Sequence, residues 1–218
     1  MSFVDLKEDP VTAAPDDELH EKVLAELDQT KQQVSQLTQE LKEAKTNLHQ
    51  LVYRDGLSGL YNYRYFQEML SKELERSIRY SSPFSLAIFC MNTPVEGNTP
   101  CGPEKSDLIL MNIARIVERE VRPTDVVARY SNDEFALILP ETDNSGARVF
   151  VERLYKNIQE MATLIDGKEI KATISIGGVT YLPGVTKAGT SKLVQSAENA
   201  LSSARKKSSN PIEILELT

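Results

Sequence analysis

The residues best placed to do chemistry in this chain are two adjacent carboxylates, Asp133 and Glu134. They stand in the stretch Arg129-Tyr130-Ser131-Asn132-Asp133-Glu134-Phe135-Ala136-Leu137-Ile138-Leu139-Pro140. Apolar runs at 126–130 and 135–139 flank the polar segment. Runs of this kind separated by a Ser-Asn-Asp cluster predict a β-hairpin with the acids at its tip. Paired carboxylates there suit a hard divalent cation or phosphate chemistry, and a solvated turn is the alternative for the same residues. Cys90 and Cys101, the only cysteines, sit in or beside an apolar strand and read as reduced thiols. His20 and His49 are too far from any Cys or acid cluster for zinc-ligand spacing.

These acids need a scaffold, and 218 residues suffice for one ordinary domain with an extension. A hydrophobic content of 40% supports a buried core, and 26% charged residues fit a soluble protein. A net charge of −7 and a pI near 5.1 argue against nonspecific nucleic-acid binding, while leaving room for a local basic site. No apolar run approaches the ~20 residues a membrane helix needs, and the start of the chain lacks a signal-peptide core. The expectation is a cytoplasmic protein with no membrane insertion.

Residues 1–15, with Pro10 and Pro15, read as a flexible leader. Residues 16–54 contain no Gly or Pro. Within them Leu27, Val34, Leu41 and Leu48 alternate with Val23, Thr30, Leu37, Ala44 and Leu51 in steps of four and three. That heptad predicts a coiled-coil dimerisation helix, weakened where Thr30 and Ala44 fall in the seam; the alternative is one amphipathic helix lying on its own domain. Asp16 or Asp17 is expected to cap its start.

Glycines at 56 and 59 end that helix, and helical spacing resumes through Phe66, Met69, Leu70, Leu74 and Ile78. A strand is expected at 84–91, a Pro/Gly-rich loop at 93–103 and a helix at 104–121, then the hairpin. A helix at 145–161 follows, then a strand at 170–181 paired through Asp166-Gly167, a helix at 191–207 and a strand at 212–217. Alternating strands and helices with a hairpin imply an α/β domain over 55–218, a mixed sheet covered by helices.

The residues Asp55, Leu57, Ser58, Gly59, Leu60, Asn62 and Arg64 resemble the opening DxLTGLxNxR motif of the GGDEF family, the diguanylate cyclases. Ser131-Asn132-Asp133-Glu134-Phe135 is similar to its signature, with Ser and Asn in place of two glycines, and Thr173-Ile174-Ser175-Ile176-Gly177 resembles a later strand. The resemblance implies a nucleotidyl-cyclase-like fold, a mostly antiparallel central sheet wrapped by helices. It also implies the condensation of two GTP into cyclic di-GMP by a dimer, with divalent metal held by carboxylates.

On that alignment several catalytic positions have changed. Cys90 stands at the metal aspartate and Asn92 at a second acid, Pro94-Val95 replaces a Phe-Lys pair, and Arg205 stands at a phosphate lysine. Asn98 and Asp107 match guanine-binding positions; an ordinary turn residue and a first-turn helix acid are the alternatives. Asp133 and Glu134 are then remnants, no metal or cofactor is expected, and magnesium enters only if cyclase activity persists. Arg122-Pro123-Thr124-Asp125, with five residues between it and Ser131, matches the family's RxxD inhibitory site, with Arg153 as a further arginine. Arginine forks suit phosphate and purine, and a carboxylate accepts from guanine N–H groups. A surface ion pair is the alternative. The resulting expectation is an inactive cyclic di-GMP receptor, a homodimer through 16–54 that signals to a protein partner. The other two readings are a weak cyclase and a nucleotide-independent scaffold.

Overall fold

The computed structural model describes residues 15–93, 95–96, 99–185, 187–207 and 211–217. The expected leader up to residue 14, together with Pro94 and Asn98, lies outside them. The chain divides into two units, Met1–Leu51 and Val52–Thr218.

The first unit holds most of helix α1 (Pro15–Tyr53). Asp16 and Asp17 lie within the described helix rather than at a cap. The heptad residues Leu27, Val34, Leu37, Leu41 and Leu48 are each about half or more exposed in the single chain. A continuous apolar stripe left in water is what a second helix would remove.

The second unit contains α2 (Tyr63–Tyr80), β1 (Phe84–Met91), β2 (Val95–Glu96), β3 (Thr99–Pro100), α3 (Pro103–Glu120), β4 (Val126–Arg129) and β5 (Glu134–Pro140). It continues through α4 (Asn144–Glu160), β6 (Ala162–Ile165), β7 (Lys168–Lys171), β8 (Ile174–Tyr181), α5 (Thr190–Arg205) and β9 (Ile212–Glu216). The main sheet runs β4-β5-β1-β8-β9, antiparallel except for the parallel pair β8–β9. The expected mixed, mostly antiparallel sheet with helices is the observed architecture.

β1 is buried along its whole length and, apart from the hydrogen-bonded Ser85, is apolar on both faces. Ala87, Phe89 and Met91 pack with Ile113 of α3 and Val151 of α4. Leu86, Ile88 and Cys90 point the other way, toward Phe66 of α2 and Leu201 of α5. This period-two alternation puts Cys90 in the layer that α5 covers.

The segment expected as one strand over 170–181 is two. β7 pairs with β6 across Asp166-Gly167, both at positive φ, in a separate small sheet, and β8 joins the main one. The break falls at Ala172-Thr173, where the Thr173 carbonyl accepts from the Asn92 N–H at 2.8 Å. The loop expected at 93–103 contains the short β2–β3 ladder.

Candidate functional site

The β4–β5 hairpin places Asp133 and Glu134 beside the end of β1. Cys90 registers opposite Glu134 on β5 and opposite Ser175 on β8, and the Met91 N–H donates to the Asp133 carbonyl at 2.8 Å. The Cys90 thiol donates to Asp133 Oδ2 at 3.4 Å. Burial pushes that thiol up to about 11 against the opposing pull of Arg205, so it is neutral near pH 7. Arg205, at the end of α5, donates to Glu134 Oε1 at 3.0 Å, and the Ser131 hydroxyl donates to Glu134 Oε2 at 3.0 Å. The Asn92 amide donates to the Thr173 hydroxyl and accepts from that of Ser175.

A magnesium ion takes hard oxygen donors in near-octahedral geometry. Here a protonated sulfur, an amide already engaged on β8 and its flank, the Asp133 carboxylate and a Glu134 carboxylate already paired with Arg205 and Ser131 meet at the strand end. Among the described residues no three His, Cys, Asp or Glu side chains converge on one point. This donor set does not fit a two-ion magnesium site.

Ser131 and Asn132 both keep negative φ. Their side chains therefore cost no backbone strain; what they add at the tip is bulk, in place of the open approach that glycines give to a phosphate. Sequence reasoning passed over the residue that fixes this turn. Arg129 donates to both Asp55 oxygens at 3.1 and 3.2 Å, to the Ser131 carbonyl at 3.2 Å and to the Asn132 carbonyl at 2.8 Å. Asp55 also accepts from the N–H and hydroxyl of Ser58, and these bonds hold its carboxyl below the ordinary range despite its burial. The opening motif thus braces the hairpin.

Of the guanine candidates, Asp107 is exposed on α3. It lies in the second turn rather than the first, because Pro103 opens the helix and Glu104 is the first-turn acid. Asn98 cannot be placed with it, being outside the described residues.

A second site forms at the other end of the hairpin, where β4 begins and β5 ends. Asp125 Oδ2 accepts from the Arg122 backbone N–H at 2.8 Å, while Oδ1 is buried without a hydrogen-bond partner. Burial pushes this carboxyl above its ordinary range, opposed by that N–H and the Arg122 charge. Arg122 and Asp125 line a cavity of about 280 Å³ with Asp143, Gly146 and Phe150. An adjoining cavity of about 270 Å³ is lined by Arg122, Phe150 and Arg153. The three predicted residues thus meet around Arg122. Arg153 is already held, donating to Glu120 Oε2 at 2.9 Å, with Asn157 on the other oxygen at 2.8 Å. No local pattern announces Glu120, which lies 33 residues from Arg153.

Residues 52–211 match the family model described as "Diguanylate cyclase, GGDEF domain". Diguanylate cyclase A of Treponema denticola is 32% identical over 117 residues, 54% of this chain and 31% of that protein. Diguanylate cyclase SiaD of Pseudomonas aeruginosa, solved with its activator SiaC, is 27% identical with a TM-score of 0.72, over 91% of this chain and 75% of that one. The coiled coil and GGDEF domain of DgcB from Caulobacter crescentus, solved with c-di-GMP, shares the fold at 19% identity and a TM-score of 0.69, over 88% and 98% of the two chains. The chain spans less than half the length of the curated relatives that it matches first. Among the described residues no helix is long and apolar enough to cross a membrane. With its family model covering the whole α/β unit up to the start of the last strand, the chain belongs to the GGDEF domain family.

Proposed function

We propose that this chain is a catalytically inactive GGDEF protein that binds cyclic di-GMP at Arg122, Asp125 and Arg153. Paired through α1, it would pass that state to a protein partner. The observation that carries the reading is Asp125 Oδ1, buried and unpaired beside Arg122 in a cavity. An unsatisfied buried acceptor costs about 1–3 kcal/mol, and a guanine N–H supplies the missing donor. Arg122 makes no side-chain hydrogen bond among the described residues, so its fork is available to phosphate. Arg153 must leave Glu120 or share it, which makes Arg153 the weaker contributor.

Calorimetric titration with cyclic di-GMP tests this directly. Arg122→Ala is expected to weaken binding about tenfold or more, since a charge-assisted hydrogen bond contributes about 1.5–3 kcal/mol. Asp125→Ala should erode the preference for cyclic di-GMP over cyclic di-AMP. Absence of heat with the wild type at ~100 µM ligand would remove the receptor reading and leave the dimeric scaffold.

Dimerisation has its own test. Leu41→Lys puts a charge in the seam of α1 and should shift the protein toward monomer in analytical ultracentrifugation. A wild-type monomer at tens of micromolar would show that the exposed stripe has another role.

The second reading is a weak cyclase. It is favoured by the names of the similar proteins and by the survival of Asp133, Glu134 and Arg205 at one strand end.

A further inference from the structure

The largest cavity described in the domain lies in neither of these sites. It is a cleft of about 750 Å³ between α2 and the N-terminal half of α5, large enough for a small molecule. Tyr63 and Phe66 of α2 and Tyr130 at the end of the β4 run line it together. The Tyr130 ring lies edge-on to the other two, with centroids 5.3 Å from Tyr63 and 5.6 Å from Phe66. Glu198 is the one charged side chain among the lining residues. The Tyr130 hydroxyl donates to Glu198 Oε1 at 2.7 Å, which anchors the carboxylate against the rings and leaves Oε2 without a partner among the described residues. Gln67 donates to the Tyr63 hydroxyl at 2.9 Å, so its amide oxygen remains an acceptor.

The chemistry of this cleft has a definite sign. Aromatic faces carry negative quadrupole potential and attract a cation within about 6 Å. A carboxylate adds net negative charge, and no lysine or arginine is among the lining residues. Phosphates and carboxylates are repelled by such a lining, and one carboxylate among rings is a poor match for a hard metal ion. We propose that this cleft binds an organic cation, a guanidinium or alkylated ammonium group, seated against Tyr63 and Tyr130 and paired with Glu198. Burial and Glu198 both push the Tyr130 phenol up, so it stays a donor to the carboxylate throughout the physiological range. Tyr130 immediately precedes the hairpin tip, and its N–H donates to the Glu134 carbonyl at 2.8 Å, so a ligand here touches the strand that carries Asp133 and Glu134. The proposal stands apart from the receptor reading and shares none of its residues.

The test is an NMR titration of the full chain with choline, agmatine, an arginine-containing tetrapeptide, and 3,3-dimethylbutan-1-ol as the neutral shape mimic of choline. Saturable shifts at Tyr63, Tyr130 and Glu198 are expected with the cations. Choline should bind at least about fivefold tighter than the alcohol, a ratio within reach of one desolvated cation–π contact. Glu198→Gln, which keeps the shape, should weaken the cations about fivefold and leave the alcohol unchanged, and Tyr63→Leu should act likewise at a half-exposed position that the fold tolerates. Tighter binding of the peptide than of agmatine would assign the cation to a protein side chain; the reverse would assign it to a free metabolite. Equal binding of alcohol and choline, indifference to Glu198→Gln, or no saturable shift with any cation at ~10 mM would overturn the proposal.

Discussion

Purified protein incubated with GTP and magnesium or manganese should form cyclic di-GMP several orders of magnitude more slowly than a GGDEF enzyme with an intact site. The loss has separate physical origins. On the proposed reading Cys90 supplies a neutral sulfur where a cyclase would need a metal carboxylate, Asn92 is tied to Thr173 and Ser175, and the side chains of Ser131-Asn132 add bulk where a phosphate would approach. If three such losses each cost about 2–4 kcal/mol of transition-state stabilisation, at ~1.4 kcal/mol per tenfold in rate, turnover all but vanishes. Product resolved by chromatography is the measurement. An ordinary rate would mean that the remaining acids suffice, and the weak-cyclase reading would replace the receptor. Asn92→Asp alone should restore nothing, because it leaves the thiol in place. Cys90→Asp combined with Ser131→Gly and Asn132→Gly is the expected route to partial recovery. The glycines act there by removing bulk rather than by relieving strain, since the φ values are already ordinary.

Gly177→Val should prevent folding or lower stability by about 3 kcal/mol or more, at or beyond the upper end of the usual overpacking range. A Cβ on Gly177 would lie 1.9 Å from the backbone nitrogen of Leu201, 2.3 Å from its Cα and 2.5 Å from the carbonyl carbon of Ala200. These are main-chain atoms of α5, so no rotamer change relieves the clash and the whole helix must lift from β8. A domain with about 5–15 kcal/mol in hand does not absorb that easily. Gly184→Ala is the control. Its Cβ would meet nothing within 4 Å, but its φ of 84° is left-handed, and the expected cost is only about 1–2 kcal/mol. Urea unfolding of both variants separates the cases. A Gly177→Val protein within ~0.5 kcal/mol of wild type would show that α5 is free to shift. Arg205 rides on α5, so even a folded variant should disturb its pair with Glu134.

The hairpin was legible from the sequence because two apolar runs and a polar turn are local signals, and β1 because a run that is apolar but for Ser85 has few places to go. The heptad stripe of α1 was equally plain, being a repeat within one helix. Short motifs in the right order carried the family. Boundaries set by contacts elsewhere were not legible. The break between β7 and β8 depends on Asn92 capturing the Thr173 carbonyl, and the Asp107 position depends on where Pro103 starts α3. The conformation of Ser131 and Asn132 was not legible either, for a similar reason. Residue type leaves the turn's φ open, and Arg129, braced by Asp55 from the start of the domain, holds the tip carbonyls in an ordinary turn. The sequence by itself determined which side chains could do chemistry and on which element each would ride. Tertiary structure alone decided their state: Cys90 neutral by burial, Asp125 left with an unpaired oxygen, Arg153 held by Glu120, and Glu198 set among three rings. The physical reason is that desolvation and partner choice are properties of the space between elements, and residues 33 to 71 positions apart share that space only after the sheet has closed on its helices.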